Sequence, residues 1–176
     1  MGNLRSVERT LAAVGGQSVI SGDPHVVRRA RRLILPGVGA FAACRAGLDA
    51  VAGMYPAIEK AVRRLGRPFF GICVGMQLMA EWGLEFTTTP GFGWIKGEVK
   101  AIEPKVTGLK IPHMGWNTLN VVRPHPLLAG IPTGPDGLHA YFVPSFHLVP
   151  RDRAFLIAEA DYGGPVTAMV GADNIA

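Results

Sequence analysis

One cysteine in this sequence stands in a pattern that predicts a nucleophile. It lies in the run Gly71-Ile72-Cys73-Val74-Gly75, which matches the G-x-nucleophile-x-G elbow with sulfur in place of a serine oxygen. The flanking glycines leave room for a sharp turn between a strand and a helix. A helix start stabilises a thiolate, and the Val74 N–H would face the oxyanion formed on an attacked carbonyl. The alternative is a small buried apolar side chain, a common role for cysteine.

A second glycine loop, Pro36-Gly37-Val38-Gly39, follows an apolar strand predicted over residues 33–35. By itself such a loop is a weak signal, because many strand-to-helix turns use glycine only for backbone room. In a parallel sheet, however, ligands collect at the carboxyl ends of the strands. We therefore expect backbone N–H groups of this loop and of the cysteine elbow to converge on one carbonyl oxygen.

The elements that must position these loops alternate between helices and short apolar strands. Asn3 and Asp23 are predicted to cap the first two helices. Predicted helices cover 4–14, the residues from Pro24 onwards, 57–65 and the residues from Met76 onwards; predicted strands cover 18–20, 33–35 and 68–72. This alternation implies a parallel sheet covered on both faces.

Beyond Phe86 the pattern changes to strand-like segments separated by glycine and proline turns. These segments cover 95–102, 111–122, 140–143, 155–160 and 166–170. Because few helices intervene, this half is predicted to add antiparallel or mixed strands. The sequence contains no internal repeat and no obvious linker, so we expect one domain over residues 1–176.

Composition limits the class of protein. The chain has 176 residues, 48% of them hydrophobic, a mean hydropathy of +0.24 and a net charge of +5, which suits one domain of ordinary size. The longest run without a charged residue is about fourteen residues, short of the roughly 20 that a membrane helix needs. Only two cysteines occur, Cys44 and Cys73, too few for a disulfide framework. We expect a cytoplasmic protein without a membrane partner.

The densest basic run is Arg28-Arg29-Ala30-Arg31-Arg32. Such a run can bind nucleic acid or an acidic partner. No aromatic residues are interleaved with these arginines, and cations are also common at the C-terminal end of a helix. We therefore favour a solvated helix end and expect no nucleic-acid partner.

Five runs occur together in a characteristic order. They are GNLRS at 2–6, LPGVGAF at 35–41, GICVGMQ at 71–77, PHMGWN at 112–117 and YFV at 141–143. Together they resemble the glutaminase subunits of imidazole glycerol phosphate synthase, which are triad-type glutamine amidotransferases of histidine biosynthesis. The resemblance covers nearly the whole chain. The elbow alone is typical of triad amidotransferases in general, whereas the loop at Pro36 and the run at 112–117 indicate this family.

The resemblance implies a fold and a reaction. The fold is a flavodoxin-like class-I glutamine amidotransferase domain, a mostly parallel α/β sheet flanked by helices with an added antiparallel portion. The reaction is hydrolysis of glutamine to glutamate and ammonia, without a metal or an organic cofactor. The ammonia passes to a (β/α)₈-barrel cyclase subunit, the partner in a heterodimer, which makes imidazole glycerol phosphate and AICAR.

The resemblance also implies roles for particular residues. Cys73 attacks the carboxamide carbon and forms a thioester. Backbone N–H groups at three residues form the oxyanion hole: Val38, Gly39 and Val74. Four residues help to hold the glutamine: Gln77, Glu85, Ser145 and Phe146. Three residues lie toward the partner subunit: Met114, Trp116 and Asn117.

The sequence departs from the family pattern at three places. The catalytic base of the family is a histidine in a His-Pro-Glu motif near the C-terminus, and this motif does not occur in residues 1–176; the third residue of His125-Pro126-Leu127 is leucine. A hydrophobic strand usually precedes the run at 2–6. Pro144 stands where the family usually has histidine, and its ring removes a backbone donor.

We expect a fragment of a longer gene, lacking the first strand and the histidine–glutamate segment, because that explains both terminal departures. The 176 residues alone are then a poor enzyme, since triad members act as a unit, and the complete gene product is a glutaminase. Sequencing past codon 176 is expected to find a strand followed by His-Pro-Glu.

Other functions are compatible with parts of the pattern. A glutaminase could serve a synthase that makes anthranilate or guanylate, but the run at 112–117 argues against this. A non-catalytic α/β binding subunit could retain docking without chemistry, and a stop codon directly after Ala176 in the native gene would favour it. A thiol peptidase that shares only the elbow is the most distant alternative.

Overall fold

The computed structural model describes residues 3–176, so the first two residues, including Gly2 of the run at 2–6, lie outside the described part. The chain divides into two compact units. The first unit contains the described residues up to Leu78 together with Asp173–Ala176, and the second unit contains Met79–Ala172.

The first two helices begin where the capping residues predict. Helix α1 covers Leu4–Ala13, and the Asn3 side chain accepts a hydrogen bond from the Ser6 N–H at 3.3 Å. Helix α2 covers Pro24–Arg29, and the Asp23 carboxylate accepts one from the His25 N–H at 2.8 Å. These caps satisfy N–H groups that have no partner inside the helix.

The strand predicted over residues 18–20 is wrong. These residues have no regular secondary structure, and Val19 and Ile20 are exposed. A strand needs a neighbour to complete its ladder of hydrogen bonds. No strand in the described residues pairs with this segment, so its apolar side chains have no sheet to pack on.

Three further helical segments of the first unit follow the glycine loop. Helix α3 covers Phe41–Asp49 and helix α4 covers Met54–Glu59, which continues as a π-helix over Lys60–Arg64. The helix predicted over 57–65 is therefore confirmed, with an earlier start. The large buried apolar side chains of this unit come from α3, from α4 with its π-helical continuation, from the strand that begins at Phe69, from the end of the short helix that follows this strand, and from the C-terminal segment: Phe41, Leu48, Met54, Ile58, Val62, Phe69, Leu78 and Ile175.

Two parallel strands form the sheet of the first unit. Strand β1 covers Leu33–Gly37, strand β2 covers Phe69–Cys73, and the register runs from Leu33 opposite Phe69 to Gly37 opposite Cys73. Pro36, predicted to end β1, lies inside it. The strands are not covered on both faces as predicted, because Ile34 and Phe70 are exposed.

The last residues of the chain pair with the other edge of β2. The Phe69 N–H donates to the Asn174 carbonyl at 2.8 Å, and the Ala176 N–H donates to the Phe69 carbonyl at 3.0 Å. The Asn174 side chain also donates to the Arg67 carbonyl at 2.7 Å. These bonds satisfy the backbone groups on that side of the strand.

The second unit is built from strands, in agreement with the predicted change of pattern. Its strands are β3 (Ala80–Gly83), β4 (Thr89–Pro90), β5 (Ile95–Ala101), β6 (Gly115–Thr118), β7 (Asn120–Val121), β8 (His139–Phe142), β9 (Phe146–Pro150), β10 (Leu156–Asp161) and β11 (Pro165–Val170). They form three sheets, ordered β4-β3-β5-β9, β6-β8 and β11-β10-β7. Only β3 and β5 pair in parallel there, and the other pairs are antiparallel.

The helix predicted from Met76 onwards is much shorter than expected. Helix α5 covers only Val74–Gln77, and Ala80 begins β3. Met79 and Ala80 are fully buried, and the Ile95 N–H donates to the Met79 carbonyl at 2.9 Å. Pairing with β5 therefore overrides the local helical pattern.

Close backbone packing between α5 and the two strands requires glycine. A Cβ atom at Gly75 would overlap the Leu35 carbonyl oxygen of β1, and one at Gly71 would lie 2.5 Å from the Met76 nitrogen. A Cβ atom at Gly37 would lie 2.7 Å from the Gly75 nitrogen. Because the nearest atom in each case is backbone, no side-chain rotation can relieve these contacts.

We predict that Gly75→Ala lowers the free energy of unfolding by about 1–3 kcal/mol, because the added methyl group must displace α5 from β1. Urea denaturation followed by circular dichroism measures this change. The matched control is Gly47→Ala in α3, where a Cβ atom has no neighbour within 4 Å; it should raise stability by about 0.5–1 kcal/mol. Equal effects of the two substitutions would contradict this account of the packing.

Candidate active site

Cys73 lies at a sharp turn between β2 and α5. Its backbone has φ 57° and ψ −119°, a conformation that is costly for any residue with a side chain and is concentrated at functional sites. Cys73 is exposed to solvent. The interpretation of Cys73 as a buried apolar residue is therefore wrong, and the strand–turn–helix context of a nucleophile elbow is present.

The helix that follows Cys73 is a single turn. The Leu78 N–H donates to the Val74 carbonyl at 2.9 Å, and the helix ends at Gln77. Val74 and Gln77 are both buried.

The glycine loop lies beside the elbow, as predicted. Gly37 is the register partner of Cys73, and neighbouring strands are about 4.8 Å apart. Val38 and Gly39 follow directly and are exposed. Gly39 has φ 83°, and no atom lies within 4 Å of the place where its Cβ would be. Open space therefore adjoins the loop at the carboxyl end of the parallel pair.

A thiol anchors this loop, and the sequence reasoning assigned no role to it. The Cys44 Sγ donates a hydrogen bond to the Val38 carbonyl at 3.1 Å. Cys44 lies in the first turn of α3, the helix that follows the loop. The only sequence signal for this hydrogen bond is a cysteine that lies six residues after Val38, and that spacing alone does not predict a contact.

In the second unit, a backbone hydrogen bond joins two segments that carry predicted site residues. The His113 N–H donates to the Pro144 carbonyl at 2.9 Å, next to Ser145, whose own carbonyl accepts from the Ile102 N–H at 2.9 Å. Phe146 then begins β9. The segment at 144–146 is therefore held firmly, although Pro144 has no N–H of its own.

Glu85 and Phe146 lie near the turn between β3 and β4. Glu85 is half-buried after the end of β3. The ring of the next residue, Phe86, lies 6.5 Å from the Phe146 ring, centroid to centroid. Phe86 has φ 58° and is 89% exposed, so this turn presents an aromatic side chain to solvent at a strained backbone position.

An exposed aromatic pair lies on the two-stranded antiparallel sheet formed by β6 and β8, here called the β6–β8 sheet. Trp116 and Tyr141 are register partners, and their rings meet edge to face with centroids 5.5 Å apart. Trp116 is 70% exposed, and Met114 beside it is also exposed. The sequence reasoning assigned no role to Tyr141, because cross-strand pairing depends on a register that local patterns do not give.

Asn117, in contrast, directs its side chain into its own unit. Its amide donates to the Asp161 carbonyl at 2.8 Å, and its oxygen accepts the Thr118 N–H at 2.9 Å. The amide nitrogen also lies 3.4 Å from the Nε2 of His113. These contacts hold the β6–β8 sheet against Asp161 and His113. The Asn117 side chain is therefore less available to a partner than its position in the run at 112–117 suggested.

Comparison with known proteins decides the family. The sequence model of the family described as class-I glutamine amidotransferase matches residues 14–172 of this chain. The imidazole glycerol phosphate synthase subunit HisH of Mesorhizobium japonicum is 56% identical over 99% of this chain and 83% of its own length. The HisH subunit of Rhodopseudomonas palustris is 59% identical over 89% of this chain and 72% of its own length. This chain belongs to the HisH family of class-I glutamine amidotransferases.

Solved structures agree on the fold. A glutamine amidotransferase crystal structure matches 99% of this chain and 82% of its own length with a TM-score of 0.72 at 17% identity. A Thermoplasma acidophilum protein assigned to GMP synthase matches 91% of this chain and 68% of its own length with a TM-score of 0.57 at 20% identity. The predicted class-I amidotransferase fold is therefore confirmed.

Within this HisH-family chain, two histidines use their rings in local structure. The His113 ring stacks between those of Tyr162 and Phe142, at centroid distances of 4.0 and 5.0 Å, and burial lowers its pKa. The His125 Nδ1 accepts the Leu127 N–H at 3.3 Å. Burial and the nearby Arg123 lower the pKa of His125. His125 was not assigned as a catalytic base, and its capping role agrees with that.

His147 is held neutral inside the second unit. Its Nδ1 accepts the Thr167 N–H at 3.1 Å, and Lys100 is its register partner across β5 and β9. Burial, with a further contribution from Lys100, lowers its pKa to about 4. His147 therefore has a structural role, because its buried neutral ring satisfies the Thr167 N–H.

Two kinds of feature are absent from the described residues, 3–176. No group of three or more histidine, cysteine, aspartate or glutamate side chains there could hold a metal ion. Nor does that part of the chain contain a helix long and apolar enough to cross a membrane.

We predict that acid destabilises this chain partly through His147. The unfolded chain binds a proton at this residue near pH 6.5, whereas the folded chain does so only near pH 4. The stabilising contribution is therefore complete above pH 6.5 and is lost as the pH falls toward 4.

His147→Asn keeps an acceptor for the Thr167 N–H but cannot be protonated. Urea midpoints at pH 7.5 and pH 5 should therefore differ less for this variant than for the unmodified protein. An identical pH dependence of the two proteins would show that His147 is not a source of the acid sensitivity.

Proposed function

We propose that this HisH-family chain supplies Cys73 as the nucleophile of the glutaminase reaction of imidazole glycerol phosphate synthase. The observation that carries the proposal is the exposed cysteine on a strained strand-to-helix turn, next to a glycine loop at the ends of two parallel strands. Family membership supplies the substrate class, because the relatives are glutamine amidotransferases.

The proposed chemistry is acyl transfer to sulfur. The Cys73 sulfur attacks the carboxamide carbon of glutamine, and the π electron pair of the C=O bond moves to oxygen to give a tetrahedral intermediate. When the C=O bond forms again, the C–N bond breaks, and the nitrogen takes up the proton given up by the thiol and leaves as ammonia. The product is a glutamyl thioester, which water then hydrolyses to glutamate and the free thiol. An amide is a poor electrophile, so stabilisation of the tetrahedral oxyanion is central to the rate.

The oxyanion donors in this proposal are backbone N–H groups on both sides of Cys73. Val74 offers the N–H of the residue after the nucleophile, the usual donor at an elbow. Val38 and Gly39 offer N–H groups from the neighbouring loop, whose strand is in register with Cys73. Losing one such donor typically costs about 2.7–4 kcal/mol of transition-state stabilisation.

Four residues are proposed to hold the glutamine. Gln77 lies one turn after the nucleophile and Glu85 follows β3, while Ser145 and Phe146 belong to the firmly bonded segment after Pro144. The backbone bonds at Pro144 and Ser145 fix the position of that segment, and a segment fixed in this way can orient a substrate at low entropic cost.

The partner proposed for this chain is a (β/α)₈-barrel cyclase subunit. It receives the ammonia and forms imidazole glycerol phosphate and AICAR. The exposed group of Met114, Trp116 and Tyr141, on and next to the β6–β8 sheet, supports this docking role, since aromatic residues and methionine are enriched at interfaces. Asn117 would contribute by supporting this sheet.

We predict that Cys73→Ala lowers glutamine hydrolysis by about 10⁴-fold or more, because removing a covalent nucleophile removes the reaction path. Ammonia release from the complete gene product, with the cyclase subunit present, measures this loss. Circular dichroism and cyclase binding serve as controls and should not change. Hydrolysis at an unchanged rate would exclude Cys73 from the mechanism.

A second prediction concerns the exposed surface around Trp116 on the β6–β8 sheet. Trp116→Ala should weaken cyclase binding by about thirtyfold, or about 2 kcal/mol, as expected for an aromatic hot spot. Trp82→Ala is the matched control, because Trp82 is also an exposed tryptophan on a strand of the same unit. Titration calorimetry with the cyclase subunit distinguishes the two, and equal affinities of both variants would contradict the assigned surface.

A further inference from the structure

The second cysteine ties the glycine loop to a helix with a firm place in the core. The Cys44 Sγ donates to the Val38 carbonyl at 3.1 Å, and the Cys44 N–H donates to the Ala40 carbonyl at 3.0 Å. Cys44 is only 8% exposed, and α3 is anchored by the buried side chains of Phe41 and Leu48. The loop therefore has one fixed peptide next to Cys73.

The direction of that peptide follows from covalent geometry. The C=O and N–H groups of a trans peptide point in opposite directions. Because the Val38 carbonyl points toward Cys44 on α3, the N–H of Gly39 in the same peptide points away from α3. The backbone of Gly39 has φ 83°, and the space around its missing Cβ is open.

We propose that Cys44 is a positioning residue that orients the Gly39 N–H as an oxyanion donor. The inference rests on the proposed function, in which this loop stabilises the tetrahedral intermediate. Cys44 itself touches no reacting atom. Its thiol determines which way the Val38–Gly39 peptide faces, and therefore how well the loop binds a developing negative charge on oxygen.

Two variants isolate the hydrogen bond from the volume of the side chain. Cys44→Ala removes the donor, so the Val38–Gly39 peptide loses its fixed orientation. Cys44→Ser keeps a hydroxyl donor of similar size and should restore it. A thiol is a weak donor, and we therefore expect a modest effect, about five- to tenfold in the affinity for an oxyanion analogue.

The probe is the open form of glutamate γ-semialdehyde. The Cys73 sulfur adds to the aldehyde carbon, a C–S bond forms, and the π electron pair moves to oxygen, which takes up the thiol proton. The hemithioacetal oxygen then occupies the position of the oxyanion. Inhibition of the complete gene product, with the cyclase subunit present, measures the affinity.

Alkylation of Cys73 by iodoacetamide is the internal control. Displacement of iodide at a saturated carbon builds no oxyanion, so its rate should be the same in all three proteins. The expected result is five- to tenfold weaker aldehyde binding by Cys44→Ala, recovery to within about twofold in Cys44→Ser, and equal alkylation rates. The melting temperatures of the three proteins provide a check on folding.

Other outcomes would overturn the inference in distinguishable ways. Equal aldehyde affinity in all three proteins would show that the Cys44 thiol does not orient a donor. A loss that serine does not restore, or slower alkylation in Cys44→Ala, would indicate a packing role instead. Failure of the unmodified protein to bind the aldehyde or to hydrolyse glutamine would contradict the proposed function itself.

Discussion

The turn at Cys73 depends on a close contact between the backbone of α5 and the backbone of β1. Gly75 of α5 lies so close to the Leu35 carbonyl of β1 that no side chain fits between them, and Gly71 and Gly37 make room in the same way from the two strands. This packing fixes the turn at Cys73 in a conformation that an isolated peptide would avoid. The strain is maintained because the surrounding backbone leaves no alternative.

The two units contribute different parts of the proposed activity. The first unit holds the nucleophile, the glycine loop and the thiol of Cys44 that anchors it. The second unit holds the segment at 144–146. A backbone hydrogen bond joins this segment to His113, which precedes β6, the strand that carries Trp116. In that unit, the segment proposed to hold glutamine and the surface proposed to bind the cyclase are thus neighbours in one hydrogen-bonded network.

Local rules predicted the parts of this protein that depend on neighbours in sequence. The caps at Asn3 and Asp23 and the glycine pattern around Cys73 are of this kind. The other elements depend on pairing between residues that are distant in sequence. Met79 and Ala80 fit either a helix or a buried strand by local pattern, and hydrogen bonding to β5 makes this segment extended. The Cys44–Val38 hydrogen bond was not predictable, because an irregular loop determines which carbonyl the thiol meets.

Trapping the acyl-enzyme tests the role of Cys73 as the nucleophile. The complete gene product is mixed with glutamine and the cyclase subunit, quenched in acid during turnover, digested and analysed by mass spectrometry. We expect the peptide containing Cys73 to gain the mass of glutamine minus ammonia, and we expect this gain to disappear when hydroxylamine cleaves the thioester. Glutamate production with this peptide unmodified and an adduct at another residue would contradict it.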